Sequence, residues 1–382
     1  MRRSTLGFAV TLVIGLALSH ARAEDFKIGT ILPLTGPGAD IGRVLVEGAK
    51  ATVVLVNKTG GIGGMHVEMI VCDTQSVEQQ AVLCARRLAG EQKVNLLLGA
   101  GTTPQTLAIL PTIDSVQVPL FAIAGGVVNY RPFKKWVFKA LATNEDQIPV
   151  AVDYLKAKGV TKIANIHDNG PFGTDVAQTL KPLAEKAGIA IIEDEVYTAT
   201  DQDMSAQVTR VRAAKPEAIF DMSSNPPPGA IVAKKIFQLG ITVPIVVGVN
   251  LQTKAFADMS GEATDQMVFI GNKASFEKVP DNDPLAPNIR AFRAAFLETH
   301  PGETVVGLST TCADSILLAQ AAAKPLGARA LDGNALREGL ESLHNVPGVQ
   351  GVWTFSPTSH ESSLKDGVAL LKYAGGKWTE AR

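Results

Sequence analysis

The chain has 382 residues, 46% hydrophobic, 19% charged and 5% aromatic, with 36 Lys+Arg against 37 Asp+Glu. That length holds two domains of roughly 100–200 residues each, and no segment is biased enough to be collagen-like or low-complexity. Balanced charge, with no basic stripe interleaved with aromatics, excludes a nucleic-acid partner held by counterion release.

Arg2-Arg3, the apolar run Leu6–Leu18 and the site Ala21-Arg22-Ala23 form a secretory signal peptide cut after Ala23. The run is too short for a membrane span, which needs roughly 20 apolar residues, so an uncleaved anchor is the lesser alternative. Cleavage removes Arg2, Arg3 and Arg22 and leaves a mildly acidic, exported chain. Export puts Cys72, Cys84 and Cys312 in an oxidising compartment. Cys72 ends an apolar strand and Cys84 lies on the helix that follows, so a Cys72–Cys84 disulfide is expected. The alternative is two buried thiols. Cys312 is left over.

Short apolar runs then alternate with helical periodicity, the pattern of a parallel α/β sheet. Strands are predicted at Phe26–Leu32, Val67–Val71, Val94–Leu98 and Pro119–Ala122. Helices carry Ile41, Leu45, Gly48 and Thr52, then Glu78–Ala89 and Pro104–Asp114. A second series runs helix Gln147–Lys158, strand Lys162–His167, helix Phe172–Ala187, strand Ala190–Val196, helix Met204–Ala213, strand Ala218–Met222, helix Ala230–Leu239 and strand Pro244–Val247. Two such series imply an α/β protein of two doubly wound, Rossmann-like lobes. The stretches 287–299, 307–323 and 332–343 read as helices without matching strands. They would complete the first lobe, which requires the chain to cross between lobes more than once. Val349–Phe355 and Val368–Tyr373 read as a pair of short strands.

Ligands of open parallel sheets bind beyond the C-terminal strand ends. Two such loops are small: Gly99-Ala100-Gly101-Thr102-Thr103-Pro104 and Ala124-Gly125-Gly126. Thr103 as N-cap before Pro104 would open a helix whose free N–H groups hold a carboxylate without a formal cation. Ordinary βα turns are an equal reading on spacing alone. Enzyme signatures are missing: there is no nucleophile elbow, zinc motif or phosphate loop, and the six His have no metal spacing. Gly60-Gly61-Ile62-Gly63-Gly64 follows a helix, which makes it a flexible turn. His167-Asp168 sits at a strand end without a nucleophile, which favours a structural or ligand-lining His.

Taken in order, Phe26–Gly29, Leu32-Pro33-Leu34-Thr35-Gly36-Pro37, Asn57–Gly64, Cys72–Ser76, Ile163–Asp168, Phe172-Gly173 and Lys234–Gly240 resemble the leucine/isoleucine/valine-type periplasmic binding proteins across the whole mature chain. The resemblance implies a type I periplasmic binding fold, two lobes joined by a multi-crossover hinge. It implies a periplasmic solute receptor, monomeric and without a cofactor, serving the permease subunits of an ABC importer. The division would be 24–142 plus 273–348 for the first lobe and 143–272 plus 349–382 for the second. A ligand sensor of the same fold is the alternative function.

Carried over by position, Ala100, Gly101, Thr102, Thr103, Ala124, Gly125 and Gly126 would bind the ligand carboxylate. Ile41 falls where leucine-type receptors carry a cleft-lining aromatic. Phe172 matches a Tyr that covers the ligand, and Asn225 stands at a second Tyr. Asn250 aligns with a Glu that pairs with the ligand's α-ammonium. An ammonium buried without a carboxylate partner is costly, so Asn250 favours an aromatic or branched acid without the amine. Asp168 or Asp221 could restore the charge, which keeps hydrophobic amino acids open.

Overall fold

The computed structural model describes residues 24–381. The expected signal peptide, residues 1–23, lies outside them. No helix among the described residues is long and apolar enough to cross a membrane.

The first lobe contains β1 (Phe26–Leu32), α1 (Ala39–Lys58), β2 (Val67–Asp73), α2 (Glu78–Arg86), β3 (Leu96–Gly99), α3 (Thr103–Val116), β4 (Leu120–Ala122) and β5 (Val137–Lys139). Its strands are parallel, in the order β2-β1-β3-β4-β5. β1 is a nearly continuous buried run, as a strand covered by helices on both faces requires. Cys72 on β2 and Cys84 on α2 form the expected disulfide, with their Cα atoms 5.7 Å apart. Cys312 is buried and free.

The second lobe runs α4 (Asn144–Ala157), β6 (Lys162–Asp168), α5 (Pro171–Ala187), β7 (Ala190–Tyr197), α6 (Ser205–Ala214), β8 (Ala218–Asp221), α7 (Pro226–Gln238), β9 (Ile245–Val247), α8 (Lys254–Ser260) and β10 (Met267–Asn272). Its parallel strands order as β7-β6-β8-β9-β10, which repeats the topology of the first lobe. α7 starts four residues before the Ala230 predicted. Asn225 is its N-cap and Pro226-Pro227-Pro228 fill the first turn, where a missing N–H costs no helical hydrogen bond.

The chain then returns to the first lobe. α9 (Ala286–Thr299) and α10 (Thr311–Ala323) pack on α1, and α11 (Gly333–Glu341) packs on α10. A β-carbon on Gly48 of α1 would lie 1.8 Å from the Ser309 carbonyl oxygen, so only glycine lets that turn approach. β11 (Val346–Pro347) pairs with β12 (Val352–Trp353). β13 (Val368–Ala374) and β14 (Lys377–Glu380) extend the second sheet antiparallel, beside β10.

Two expectations differ here. The segments at 349–355 and 368–373 are not partners, because β12 pairs with β11 and β13 with β10. Residues 349–364 also stay with the first lobe, so the last crossing falls after Leu364 and not at Val349. Trp353 donates to Asp314 on α10, and the Phe355 ring packs 5.3 Å from Phe138 and 6.3 Å from Phe121.

The crossings are tied by buried polar groups. Lys139 at the end of β5 reaches Asp146 on α4 at 2.5 Å and the Ser362 carbonyl at 2.7 Å. Asp146 also accepts the Thr143 N–H, closing a capping box, and the Leu364 N–H, both at 2.9 Å. First and last crossings thus share one carboxylate. At the middle crossing, Asn272 donates to Gly307 and Thr310.

Candidate ligand-binding site

A narrow cleft with about 30 Å³ of free internal space lies between the lobes. The first lobe lines it with Gly101, Thr102 and Thr103 after β3, Ile123, Ala124 and Gly125 after β4, and Leu308. The second lobe supplies Gln147, Phe172, Ser224, Val249 and Asn250, and the first crossing adds Leu141. Loops following the C-terminal ends of β3, β4, β6, β8 and β9 thus converge, as the open α/β rule expects.

The α3 entrance is offset by one residue from the sequence reading. Thr102, extended at φ −137°, is the N-cap, and Thr103 begins the helix with Pro104 behind it. The Thr102 side chain makes no capping hydrogen bond, which leaves its hydroxyl available. Unpaired N–H groups of the first turn and the positive helix end complete an anion-favouring surface. Gly101, at φ +87°, turns the backbone into this position, and a β-carbon there would meet the Pro33 ring at 2.7 Å.

From the second lobe, Phe172 closes on this surface. Its Cε2 lies 3.2 Å from where a β-carbon of Gly125 would stand. Gln147, nearly fully buried, accepts the Val249 N–H at 3.3 Å and donates to the Ala142 carbonyl at 2.7 Å. Asn250 turns its amide N–H groups inward, to the carbonyls of Ser223 (2.7 Å) and Ser224 (3.2 Å).

Of the residues singled out from sequence, Gly101, Thr102, Thr103, Ala124, Gly125, Phe172 and Asn250 line the cleft. Four do not. Ile41 on α1 is 1% exposed and joins the apolar core. Ala100 is fully buried and spends its N–H on Thr106 Oγ1 at 3.3 Å. Gly126 works from behind: a β-carbon there would press Thr103 Oγ1 at 2.9 Å. Asn225 caps α7, and its neighbour Ser224 takes the cleft position. Sequence reasoning missed Gln147, Ser224, Val249, Ile123, Leu141 and Leu308. Three of them adjoin a singled-out residue, whereas Gln147, Leu141 and Leu308 carried no local signal.

Among the described residues, no ionisable side chain lines the cleft. Asp168 is occupied by the N–H groups of Gly170 (2.9 Å) and Ser224 (3.1 Å). Asp221 is fully buried behind the loop and accepts the Ser223 hydroxyl at 2.5 Å, while Ser223 in turn accepts from Tyr197. Burial, with the nearby Asp168 charge, pushes Asp221 up to about 7. His167 also stays out of the cleft, its Nδ1 2.8 Å from the Asp168 carbonyl and its Nε2 3.5 Å from Asp194. Burial opposes its charge, but Asp194 raises the pKa overall. None of these three side chains is among the cleft lining.

The periplasmic binding protein family profile matches residues 25–377. The chain belongs to that family. Its members bind solutes and are not enzymes. The chain is 26% identical over 380 residues to the Leu/Ile/Val-binding protein BraC3 of Rhizobium johnstonii, covering 96% of each. Among solved structures it resembles an extracellular ligand-binding receptor from Rhodopseudomonas palustris HaA2 (TM-score 0.84, 23% identity, 94% and 100% covered). It also resembles an ABC-transporter solute-binding protein from R. palustris in complex with 4-hydroxybenzoate (TM-score 0.78, 20% identity, 94% and 96% covered). Both structural likenesses show the fold.

Proposed function

We propose that this periplasmic binding protein is the receptor of an ABC importer for a small carboxylate with an apolar body and no α-ammonium, an aromatic or branched acid. It is exported by a signal peptide cut after Ala23, acts as a monomer, and delivers its ligand to the permease subunits. The carboxylate sits at the α3 entrance, on Thr102, Thr103 and the free N–H groups, with Ala124 and Gly125 beside it. Phe172, Ile123, Leu141, Val249 and Leu308 enclose the apolar body.

The observation that carries this reading is the uncharged cleft. An α-ammonium would be desolvated with no counter-charge among the lining residues, since Asp168 and Asp221 are already engaged behind Ser223 and Ser224. The carboxylate end, by contrast, keeps charge-assisted donors. Proteins of this fold are named for both chemistries, so the side chains decide.

The test is calorimetric titration of leucine, phenylalanine, benzoate, 4-hydroxybenzoate and 3-phenylpropionate at one pH and salt concentration. At least one of the simple acids is expected to bind more tightly than either amino acid. Tighter binding of leucine or phenylalanine overturns the ligand class.

A further inference from the structure

Of the polar contacts that join the lobes outside the cleft lining, two end on Asp40 and Val127 of the first lobe. Thr253 is the N-cap of α8 in the second lobe and only 1% exposed. Its hydroxyl oxygen accepts the Phe256 N–H at 3.1 Å, and its proton goes to Asp40 in the first turn of α1, in the first lobe. Asp175 on α5 is 3% exposed. One of its oxygens accepts Asn144 Nδ2 at 2.7 Å, beside the first crossing. The other accepts the Val127 N–H of the first lobe at 3.3 Å. None of these residues lines the cleft.

Each pair therefore divides into a part within or beside its own lobe and a part that spans the lobes. If the lobes separate, Thr253 keeps its cap and Asp175 keeps Asn144. The bonds to Asp40 and Val127 must break. Their free energy counts only towards the closed arrangement, and an interaction present in one state alone shifts the population of that state.

We infer that Thr253–Asp40 and Asp175–Val127 are closure latches that set the rate of ligand release without touching the ligand. The inference rests on the reading of the protein as a receptor that closes around its solute. In such a receptor, escape requires opening. Strengthening the closed state slows dissociation and leaves association, which occurs from the open state, largely unchanged.

The test separates the latch from the cap. Thr253→Asp retains a good N-cap but sets a second carboxylate against Asp40, and adding Asp40→Asn restores a donor–acceptor pair. Stopped-flow dissociation is measured with whichever of the five probe compounds binds, together with the radius of gyration of the ligand-free mature protein by X-ray scattering. Thr253→Asp is expected to release the probe about tenfold faster, as loss of a hydrogen bond to a charged group implies, and to enlarge the radius. The double variant should return both towards wild type. Asp40→Ala, which removes the acceptor and leaves the Thr253 cap in place, should act in the same direction if Thr253→Asp folds poorly. Asp175→Ala should add its own acceleration. Unchanged dissociation and radius in Thr253→Asp and Asp40→Ala overturn the inference, as does a Thr253→Asp effect that Asp40→Asn leaves in place. If none of the probes binds the wild-type protein, the proposed ligand class fails and the radii alone decide the latch, equal values overturning it.

Discussion

The indole N–H of Trp353 donates to the carboxylate of Asp314 at 2.7 Å, fastening the chain's return segment to α10. The same carboxylate accepts the backbone N–H groups of Val349 and Gln350 and is fully buried. Asp314→Asn leaves one acceptor oxygen for three donors, so at least one buried N–H loses its partner. The expected loss is about 1–3 kcal/mol of stability, measured by denaturant unfolding followed through Trp fluorescence. An unchanged midpoint would show that the triple acceptor is dispensable.

Burial raises Asp221 to about 7 and Asp314 to about 6. Both folded values lie above the unfolded value of about 3.9. The native state therefore holds protons that the unfolded chain has already released, and stability contributed by these groups falls as pH rises from about 4 to 7. Asp221→Asn keeps an oxygen for Ser223 and removes the buried charge. Between pH 5 and pH 8 it should lose about 2 kcal/mol less stability than wild type. Parallel curves for the two proteins would refute the elevated pKa.

Thr102 has a hydroxyl with no capping role, at the α3 entrance proposed to hold the ligand carboxylate. Thr102→Ala should weaken binding of the preferred acid by about 1–2 kcal/mol in calorimetry, with the melting temperature little changed. Equal affinity would remove Thr102 from the grip.

Gly125 and Phe172 meet across the cleft, and a β-carbon at Gly125 would stand 3.2 Å from the ring. Gly125→Val should prop the lobes apart and cost about 1–3 kcal/mol of binding, with most of the folding stability retained. Wild-type affinity in that variant would mean that Phe172 does not need to close on this loop.

The Cys72–Cys84 bond closes a short loop between β2 and α2. Thiol titration of the oxidised, denatured protein should find a single free thiol, that of Cys312. Reduction should cost ~3 kcal/mol. Three free thiols would show that the bond does not form.

How much of this was legible varies with the kind of signal. β1 and α5 were readable because a strand covered on both faces is a continuous apolar run and a surface helix repeats its apolar stripe. β5 was not. It has three residues and ends in Lys139, whose burial makes sense only beside Asp146. β10 and α8 went unread for a related reason, since β10 becomes a strand by pairing with β9 on one side and with β13, a hundred residues on, at the other. A short apolar run without its partners does not distinguish helix from strand.

The amino-acid sequence by itself determined the two α/β lobes, the disulfide, and the small loops after β3 and β4, because each follows from local periodicity, short sequence separation or turn chemistry. Tertiary structure alone decided the site's other half. Ile41 went to the core and not the cleft, a burial set by the elements packed around α1. Ser224 lines the cleft and Asn225 does not, Asn225 being the N-cap residue of α7. Gln147 and Leu308, 161 positions apart, share the cleft only because the middle crossing returns the chain to the same gap. The neutrality of that gap is likewise a property of direction: Asp168 and Asp221 are close in the chain to its lining, and backbone N–H groups and Ser223 turn their charges away from it.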